Sequence, residues 1–253
     1  MASAVARTVG STATPSVLAI VLDCNPVEWA RRADEDLPAL LEQLLMFANA
    51  YWMLSSANRL IVIGAHPGTA WLIWPEAPEH AAEPAPPHRL RHALARGVEA
   101  LLDLDPPSES PGAGASPRGP QLAAALSLAT LRIARARREQ PLLQPRILVL
   151  HASADEPSEH LRIVDLAFGN AKFDVVADVV LLQPQRDSLA LQQLSHLTGG
   201  LYLSADARSR ARLVFFILII LHMYRSSRCS SSRTSRAGLS AEEHGRVEFL
   251  ICK

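Results

Sequence analysis

Cysteine is scarce in this 253-residue chain, which contains Cys24, Cys229 and Cys252. Three widely separated cysteines are too few for a disulfide framework or a four-cysteine metal site, and they favour a reducing, intracellular compartment. Charge of one sign is also lacking, because the formal net charge is zero. That balance argues against a protein that holds nucleic acid through its overall electrostatic field.

Long apolar runs are missing as well. The longest, LVFFILIILHMY, covers residues 213–224, whereas a helix that crosses a bilayer needs roughly 20 apolar residues. The first residues, MASAVARTVGSTATP, lack a continuous apolar segment of signal-peptide type. We therefore expect no membrane span and no secretory signal, and we interpret residues 1–15 as a disordered N-terminus.

Apolar runs of strand type alternate with helical stripes along the rest of the chain. Strands are predicted at residues 16–24, 59–66, 70–75, 146–153, 174–183 and 200–204. Helices are predicted at about 36–56, 88–104, 122–136 and 161–171, and after a cap at Asp187. The alternation indicates an α/β fold with a mostly parallel six-stranded sheet and helices on both faces. The short PGT link predicts a hairpin, so that the third strand is an antiparallel edge strand.

Asp23 ends the first buried strand, which is where folds of this class hold their ligands. Asp23, Asn25 and Val27 occupy alternate positions. Mg²⁺ prefers oxygen ligands in an octahedron, and Asn25 offers a carbonyl oxygen while Val27 offers none. We interpret Asp23 and Asn25 as a degenerate metal site whose side chains hydrogen-bond loop and helix backbone. A working magnesium site is the alternative.

Other residues whose side chains could bind a metal or react have simpler interpretations. Asp155 could be a distant partner of Asp23, but a helix cap explains it better. His88 and His92 have zinc-like spacing without a third ligand. Cys24 is interpreted as a buried structural thiol, because the neighbouring carboxylate would raise its pKa. The sequence has no phosphate loop, dinucleotide fingerprint or nucleophile elbow, so we predict no catalytic residue.

Exposed aromatic and arginine residues are typical of protein interfaces. Trp29, Trp71 and Trp74 are candidate partner-binding residues, because each lies at a strand end or on the predicted edge strand. Ordinary packing is the alternative for each of them. Several arginines could contact an acidic partner or form a solvated helix face: Arg132, Arg135, Arg137, Arg138 and Arg146.

Three stretches together resemble a known family: IVLDCNPVEW, SSANRLIVIGAH and LQQLSHLTGGLYL. They are similar to the smaller von Willebrand A-like core subunit of the transcription and DNA-repair factor TFIIH, the subunit 3 or Tfb4 family. The resemblance covers about residues 16–206, and the signatures D-x-N-P-x-x-W and T-G-G-L-Y-L carry it. Other von Willebrand A domains usually keep D-x-S-x-S at the position of Asp23, and this chain does not.

The resemblance implies a von Willebrand A-like, Rossmann-like domain over residues 16–206. It implies a nuclear, non-enzymatic scaffold of the TFIIH core complex, which opens promoter DNA for RNA polymerase II and damaged DNA in nucleotide excision repair. The implied partners are the other, zinc-bearing von Willebrand A-like subunit and further core subunits, with no membrane and no sequence-specific nucleic acid. The alternative is a Mg²⁺-dependent von Willebrand A ligand-binding domain. A doubly wound nucleotide-using enzyme would need a phosphate loop.

The family's cysteine-rich zinc module is where this chain departs from the pattern. Residues 207–253 contain Cys229 and Cys252 without a C-x-x-C pair, and His222 and His244 do not complete a tetrahedral set. We therefore expect no cofactor in this chain. Residues 207–224 are interpreted as an apolar and basic helix or a sticky exposed segment, and residues 225–253 as a disordered tail. Either the module has been lost, or the 3′ end reads an intron or a shifted frame.

Overall fold

A six-stranded sheet between two helical layers forms the body of the protein. The computed structural model describes residues 15–32, 36–75, 87–104, 119–182 and 187–204. The strands are β1 (Ser16–Asp23), β2 (Arg59–Ala65), β3 (Ala70–Trp74), β4 (Gln144–His151), β5 (Val176–Leu181) and β6 (Tyr202–Ser204). The helices are α1 (Pro26–Ala30), α2 (Asp36–Leu54), α3 (Pro87–Leu102), α4 (Leu122–Glu139), α5 (Pro157–Lys172) and α6 (Leu189–Thr198).

The interpretations of residues 1–15 and 207–253 stay predictions from the sequence. The predicted helix at 207–224 and the predicted tail at 225–253 lie outside the described residues, as does nearly all of the predicted N-terminal segment. Over the ranges that the structure does describe, no helix combines the length and the apolar character needed to cross a membrane.

The strand order is β3-β2-β1-β4-β5-β6. Only the β2–β3 pair is antiparallel among these neighbours, and the other four pairs are parallel. The connection from β2 to β3 is a tight turn in which the backbone N–H of Thr69 donates to the His66 carbonyl at 3.2 Å, and the His66 N–H donates to the Thr69 carbonyl at 2.9 Å. These pairings confirm the predicted α/β sheet and its antiparallel edge strand.

The central strand β1 is buried along its whole length. Its even-numbered residues from 18 to 22 enter one core layer, which also contains side chains of α2 and α3. Its odd-numbered residues from 17 to 21 enter the other layer, with side chains of α4, α5 and α6. A strand covered on both faces needs apolar residues on both, which explains the unbroken VLAIVL run.

Two predicted helix caps are wrong. The N-cap of α6 is Ser188, whose Oγ accepts the Leu191 N–H at 3.2 Å; Asp187 lies one residue too early to reach that donor. At α5 the N-cap position belongs to Glu156, and Asp155 is an exposed residue before it. Helix α6 ends at Gly199, which has φ 70°, a left-handed conformation that glycine adopts without strain.

Candidate functional site at the carboxyl end of the central strand

The Asp23 carboxylate lies at the carboxyl end of β1 and is completely buried. Its Oδ1 accepts the backbone N–H of Asn25 at 3.0 Å. Its Oδ2 accepts the backbone N–H groups of Ala152 and Ser153 at 3.0 and 2.8 Å. Because β1 and β4 are parallel neighbours, the loops that follow them meet at this carboxylate. Asp23 therefore fastens two loops to each other.

His151, the last residue of β4, completes the surroundings of this carboxylate. Its Nδ1 lies 3.0 Å from Asp23 Oδ2, which is ion-pair distance without the alignment of a hydrogen bond. Burial by itself would raise the pKa of the Asp23 carboxyl. The contacts with His151 and with the N–H groups after β4 outweigh burial, so the net pKa lies below its ordinary value. The carboxylate is thus held in its charged form.

Asn25 organises the loop that follows Asp23. Its Oδ1 accepts the Val27 N–H at 3.2 Å, which makes Asn25 the N-cap of α1. Its Nδ2 donates to Ser153 Oγ at 3.2 Å. Pro26 occupies the first helical position, where its fixed φ suits a helix and its missing N–H costs nothing. The hydrogen bonds predicted for Asp23 and Asn25 are present, whereas the five-residue helix α1 was not predicted.

Trp29 packs α1 down onto the end of the strand. Its indole N–H donates to the backbone carbonyl of Asp23 at 2.8 Å, and the residue is 8% exposed. The Arg32 guanidinium lies 4.8 Å from the centre of the Trp29 ring and donates to the Ala152 carbonyl at 3.4 Å. The cation–π contact and the hydrogen bonds join α1 to the loop after β4.

These residues do not fit a magnesium ion. Both carboxylate oxygens of Asp23 accept backbone N–H groups, and Asn25 Oδ1 accepts the Val27 N–H. Val27 supplies no oxygen in its side chain. In the part of the chain that the structure describes, no group of three or more His, Cys, Asp and Glu residues is placed to hold a metal ion. The oxygens that a metal would need are engaged in holding loops.

For Cys24, and for His88 and His92, the structure agrees with the simpler of the two interpretations. The Cys24 thiol is fully buried, and its pKa is raised first by burial and then by the charge of Asp23. The Asp23 carboxylate, which is the cause expected from sequence, is the smaller of the two. His88 and His92 are exposed at the start of α3, as expected for a solvated helix start.

The three tryptophans have different environments. Trp74 is 1% exposed and Trp29 is 8% exposed, so both pack in the core, and direct partner contact through either is disfavoured. A sequence cannot show this, because a strand end and an edge strand each have a buried and an open face. Trp71 is 58% exposed on β3. Its contact with a partner stays a prediction.

Arg146 is also largely buried. Its guanidinium donates two hydrogen bonds to the Asp178 carboxylate, one of them from Nη2 to Oδ1 at 2.9 Å. The Arg146 side chain is 13% exposed. Asp178 Oδ1 also accepts the Leu201 N–H at 2.9 Å. Arg146 therefore joins β4 to β5 and is removed from the candidate contacts for an acidic partner.

The fold and the strand-end site define a class of protein. The von Willebrand A domain of SpRpn10 superposes with a TM-score of 0.53 at 15% identity, covering 79% of this chain and 94% of that one. The described residues thus have a von Willebrand A-like fold, in which the strand-end acid is hydrogen-bonded to the protein's own backbone. The family model of transcription factor Tfb4 matches residues 15–237. The chain belongs to the Tfb4 family.

Individual relatives agree with that membership. General transcription factor IIH subunit 3 of Dictyostelium discoideum is 29% identical over 199 residues, 70% of this chain and 52% of the relative. The general transcription and DNA repair factor IIH subunit TFB4 of Saccharomyces cerevisiae is 24% identical over 223 residues, 77% and 65% of the two chains. The TFIIH p34 N-terminal domain superposes with a TM-score of 0.69 at 22% identity, covering 81% of this chain and 96% of that one. The chain thus spans between half and two thirds of the length of these curated relatives.

Proposed function

We propose that this chain is a non-catalytic scaffold subunit of the TFIIH core complex. In this role it supports transcription initiation by RNA polymerase II and nucleotide excision repair in the nucleus, through protein–protein contacts. Membership of the Tfb4 family and the names of the relatives support the proposal that the chain is a subunit of TFIIH. The observation that carries the scaffold role is the Asp23 carboxylate, whose oxygens all point to the protein's own backbone.

A strand end of this kind makes the surrounding loops rigid and is not suited to binding an exchangeable ligand. A metal-dependent binding domain must leave coordination positions open for its ligand. Here the same region is closed by Asn25, Trp29 and the loop after β4. The proposal assigns no cofactor to residues 16–206. A scaffold gains from this arrangement, because a fixed surface loses little conformational freedom when a partner binds.

The proposed partner is the zinc-bearing von Willebrand A-like subunit of TFIIH, followed by further core subunits. Among the three candidate tryptophans, Trp71 is the one whose side chain is available to another protein. Tryptophans at the centre of an interface often contribute much of the binding energy. Trp71 also lies on β3, at the edge of the sheet, and edge strands are open to pairing with another chain.

Co-purification tests the proposal. The full chain is co-expressed with the zinc-bearing subunit of the same organism, and the expected result is one complex by size-exclusion chromatography. Trp71→Ala is expected to weaken that complex about tenfold or more, as for a central interface tryptophan. Met53→Ala is the matched control, because Met53 is 87% exposed on α2. Separate elution of the two wild-type chains would overturn the proposed function.

A further inference from the structure

The outward face of α4 presents an apolar residue beside two arginines. Leu131, Arg135 and Arg138 stand at i, i+4 and i+7, so they share one side of the helix. Leu131 is 67% exposed and the Arg135 side chain is 65% exposed. The opposite side, which includes Ile133 and Ala136, is buried against the sheet. The stripe therefore faces away from the core.

The residue that follows α5 adds an exposed aromatic side chain near the end of α4. Two hydrogen bonds hold α4 and α5 side by side: Thr130 Oγ1 to Asn170 Oδ1 at 2.8 Å, and Arg137 Nη1 to the Phe173 carbonyl at 2.8 Å. The second bond places Phe173, which is 60% exposed, beside the last turn of α4.

The turn after α4 contributes a further apolar side chain. The Leu143 N–H donates to the Gln140 carbonyl at 3.1 Å and closes that turn, in which Leu142 is 79% exposed. Isolated exposed leucines are ordinary, but here three large exposed apolar residues and two arginines lie on α4, on the turn that follows it and at the end of the neighbouring helix α5. We name this surface the basic-apolar corner and define it by its members: Leu131, Arg135, Arg138, Leu142 and Phe173.

The corner carries positive charge that the described residues neutralise only in part. The Glu139 carboxylate lies 2.6 Å from Arg59 Nη1 and 3.8 Å from Arg135 Nε. Arg138 makes no ion pair with any residue in the described ranges. The exposed neighbours Lys172 and Asp174 have opposite charges, which cancel.

We infer that the basic-apolar corner docks an acidic amphipathic segment of another protein. Arginines with an aromatic residue and two leucines form the composition expected at the centre of a protein interface. The positive charge selects a segment rich in Asp and Glu, and the leucines and phenylalanine select one that also presents apolar side chains. A nucleic acid is the poorer fit, because its affinity rises with the number of phosphates contacted and the apolar residues would contribute nothing to those contacts.

The experiment measures binding of defined probes to the full chain by fluorescence anisotropy. The probe is a fluorescein-labelled helical peptide with Leu and Phe on one face and Glu on the other. A second peptide has Ser in place of Leu and Phe, and a third probe is single-stranded DNA. We expect the first peptide to bind about tenfold more tightly than either control, with an affinity that falls as salt rises.

Variants then locate the binding surface. Arg135→Glu with Arg138→Glu should weaken the first peptide about tenfold, and Phe173→Ala about fivefold, as expected for interface anchors. All three positions are exposed, so these variants should keep wild-type melting temperatures. Arg91→Glu is the control, since Arg91 is exposed on α3 in the opposite helical layer; it should bind as the wild type does.

Four results would each overturn the inference: no binding of the first peptide, equal binding of the Ser-containing peptide, preferential binding of DNA, or unchanged affinity in the corner variants. The docking site and the proposed TFIIH role are separable. Corner variants that lose the peptide should still co-purify with the zinc-bearing subunit, whereas loss of co-purification by the wild type bears on the TFIIH role alone.

Discussion

Asp23 accepts the backbone N–H of Ser153 at 2.8 Å, across 130 positions of the chain. The acid that ends the first strand is therefore a structural acceptor for the loop after β4. The same carboxylate oxygen lies 3.0 Å from His151 Nδ1.

Replacing Asp23 should cost stability. Asp23→Ala leaves the buried N–H groups of Asn25, Ala152 and Ser153 without their acceptor. An unsatisfied buried donor costs about 1–3 kcal/mol, so with three such donors the variant should lose at least about 3 kcal/mol of unfolding free energy. Urea unfolding should show that loss. Asp155→Asn is the control, because Asp155 is exposed, and it should change the free energy of unfolding by about 0.5 kcal/mol or less.

Acid should remove the contribution of Asp23. Its pKa in the folded protein is below the ordinary value of 3.8, so the unfolded chain takes up the proton first as pH falls. The stabilisation is complete above pH 3.8 and is lost as pH falls through the folded pKa. In urea titrations, the stability difference between wild type and Asp23→Asn should shrink over that window. A difference that grows in acid would contradict the assigned direction.

Magnesium should not stabilise the folded chain. A ligand that binds the native state alone raises its melting temperature, and the oxygens of Asp23 and Asn25 already accept backbone N–H groups. Differential scanning fluorimetry with millimolar MgCl₂ should match a control with equal ionic strength of NaCl. A Mg²⁺-dependent increase that Asp23→Asn abolishes would reinstate the metal site.

The exposed and buried tryptophans should behave in opposite ways. Trp74→Ala removes a 1% exposed side chain and should cost about 3–5 kcal/mol of unfolding free energy. Trp71→Ala changes a 58% exposed residue and should cost about 0.5 kcal/mol or less. If Trp74 contacts a partner, as its position in the sequence suggests, Trp74→Ala would instead weaken partner binding more than it destabilises the fold. Thermal melts of both variants, beside the co-purification assay, decide between the two.

Replacing Gly200 and Gly169 by alanine should change the free energy of unfolding in opposite directions. A Cβ at Gly200 would collide with the carbonyl of Ala177, so Gly200→Ala should destabilise the fold by about 1–3 kcal/mol. A Cβ at Gly169, inside α5, would meet no atom within 4 Å. Gly169→Ala should therefore stabilise by about 0.5–1 kcal/mol, because alanine favours the helix. Chemical denaturation of both variants tests the packing around β6 and the exposure of α5.

The sheet was predictable because its sequence pattern has few alternatives. The apolar run before Asp23 is too continuous for a one-sided strand, and helical stripes separate most of the later runs. The PGT link is too short for a parallel crossover, which fixes β3 as antiparallel. Local rules of this kind gave the succession of these elements along the chain and the type of each, with boundaries to within a few residues. The order of the strands in the sheet was not predicted.

The candidate site was less accessible from sequence. The helix α1 is a single turn, so it has no periodic stripe to detect, and Pro26 is equally compatible with a loop. The role of His151 depends on β4 lying beside β1, which is a tertiary fact. A histidine near the end of an apolar strand was the available signal. The burial of Trp74 and of Arg146 likewise depends on which face of the sheet is covered.

The bond between Asp23 and the loop after β4 has a consequence for synthesis on the ribosome. When β1 leaves the exit tunnel, the N–H groups of Ala152 and Ser153 do not yet exist. At roughly 5–20 residues per second, their arrival lags that of Asp23 by on the order of ten seconds. Until then the strand that becomes the centre of the sheet lacks both β4 and the partners of its terminal acid. Any fragment that stops before β4 would keep that unfinished state permanently.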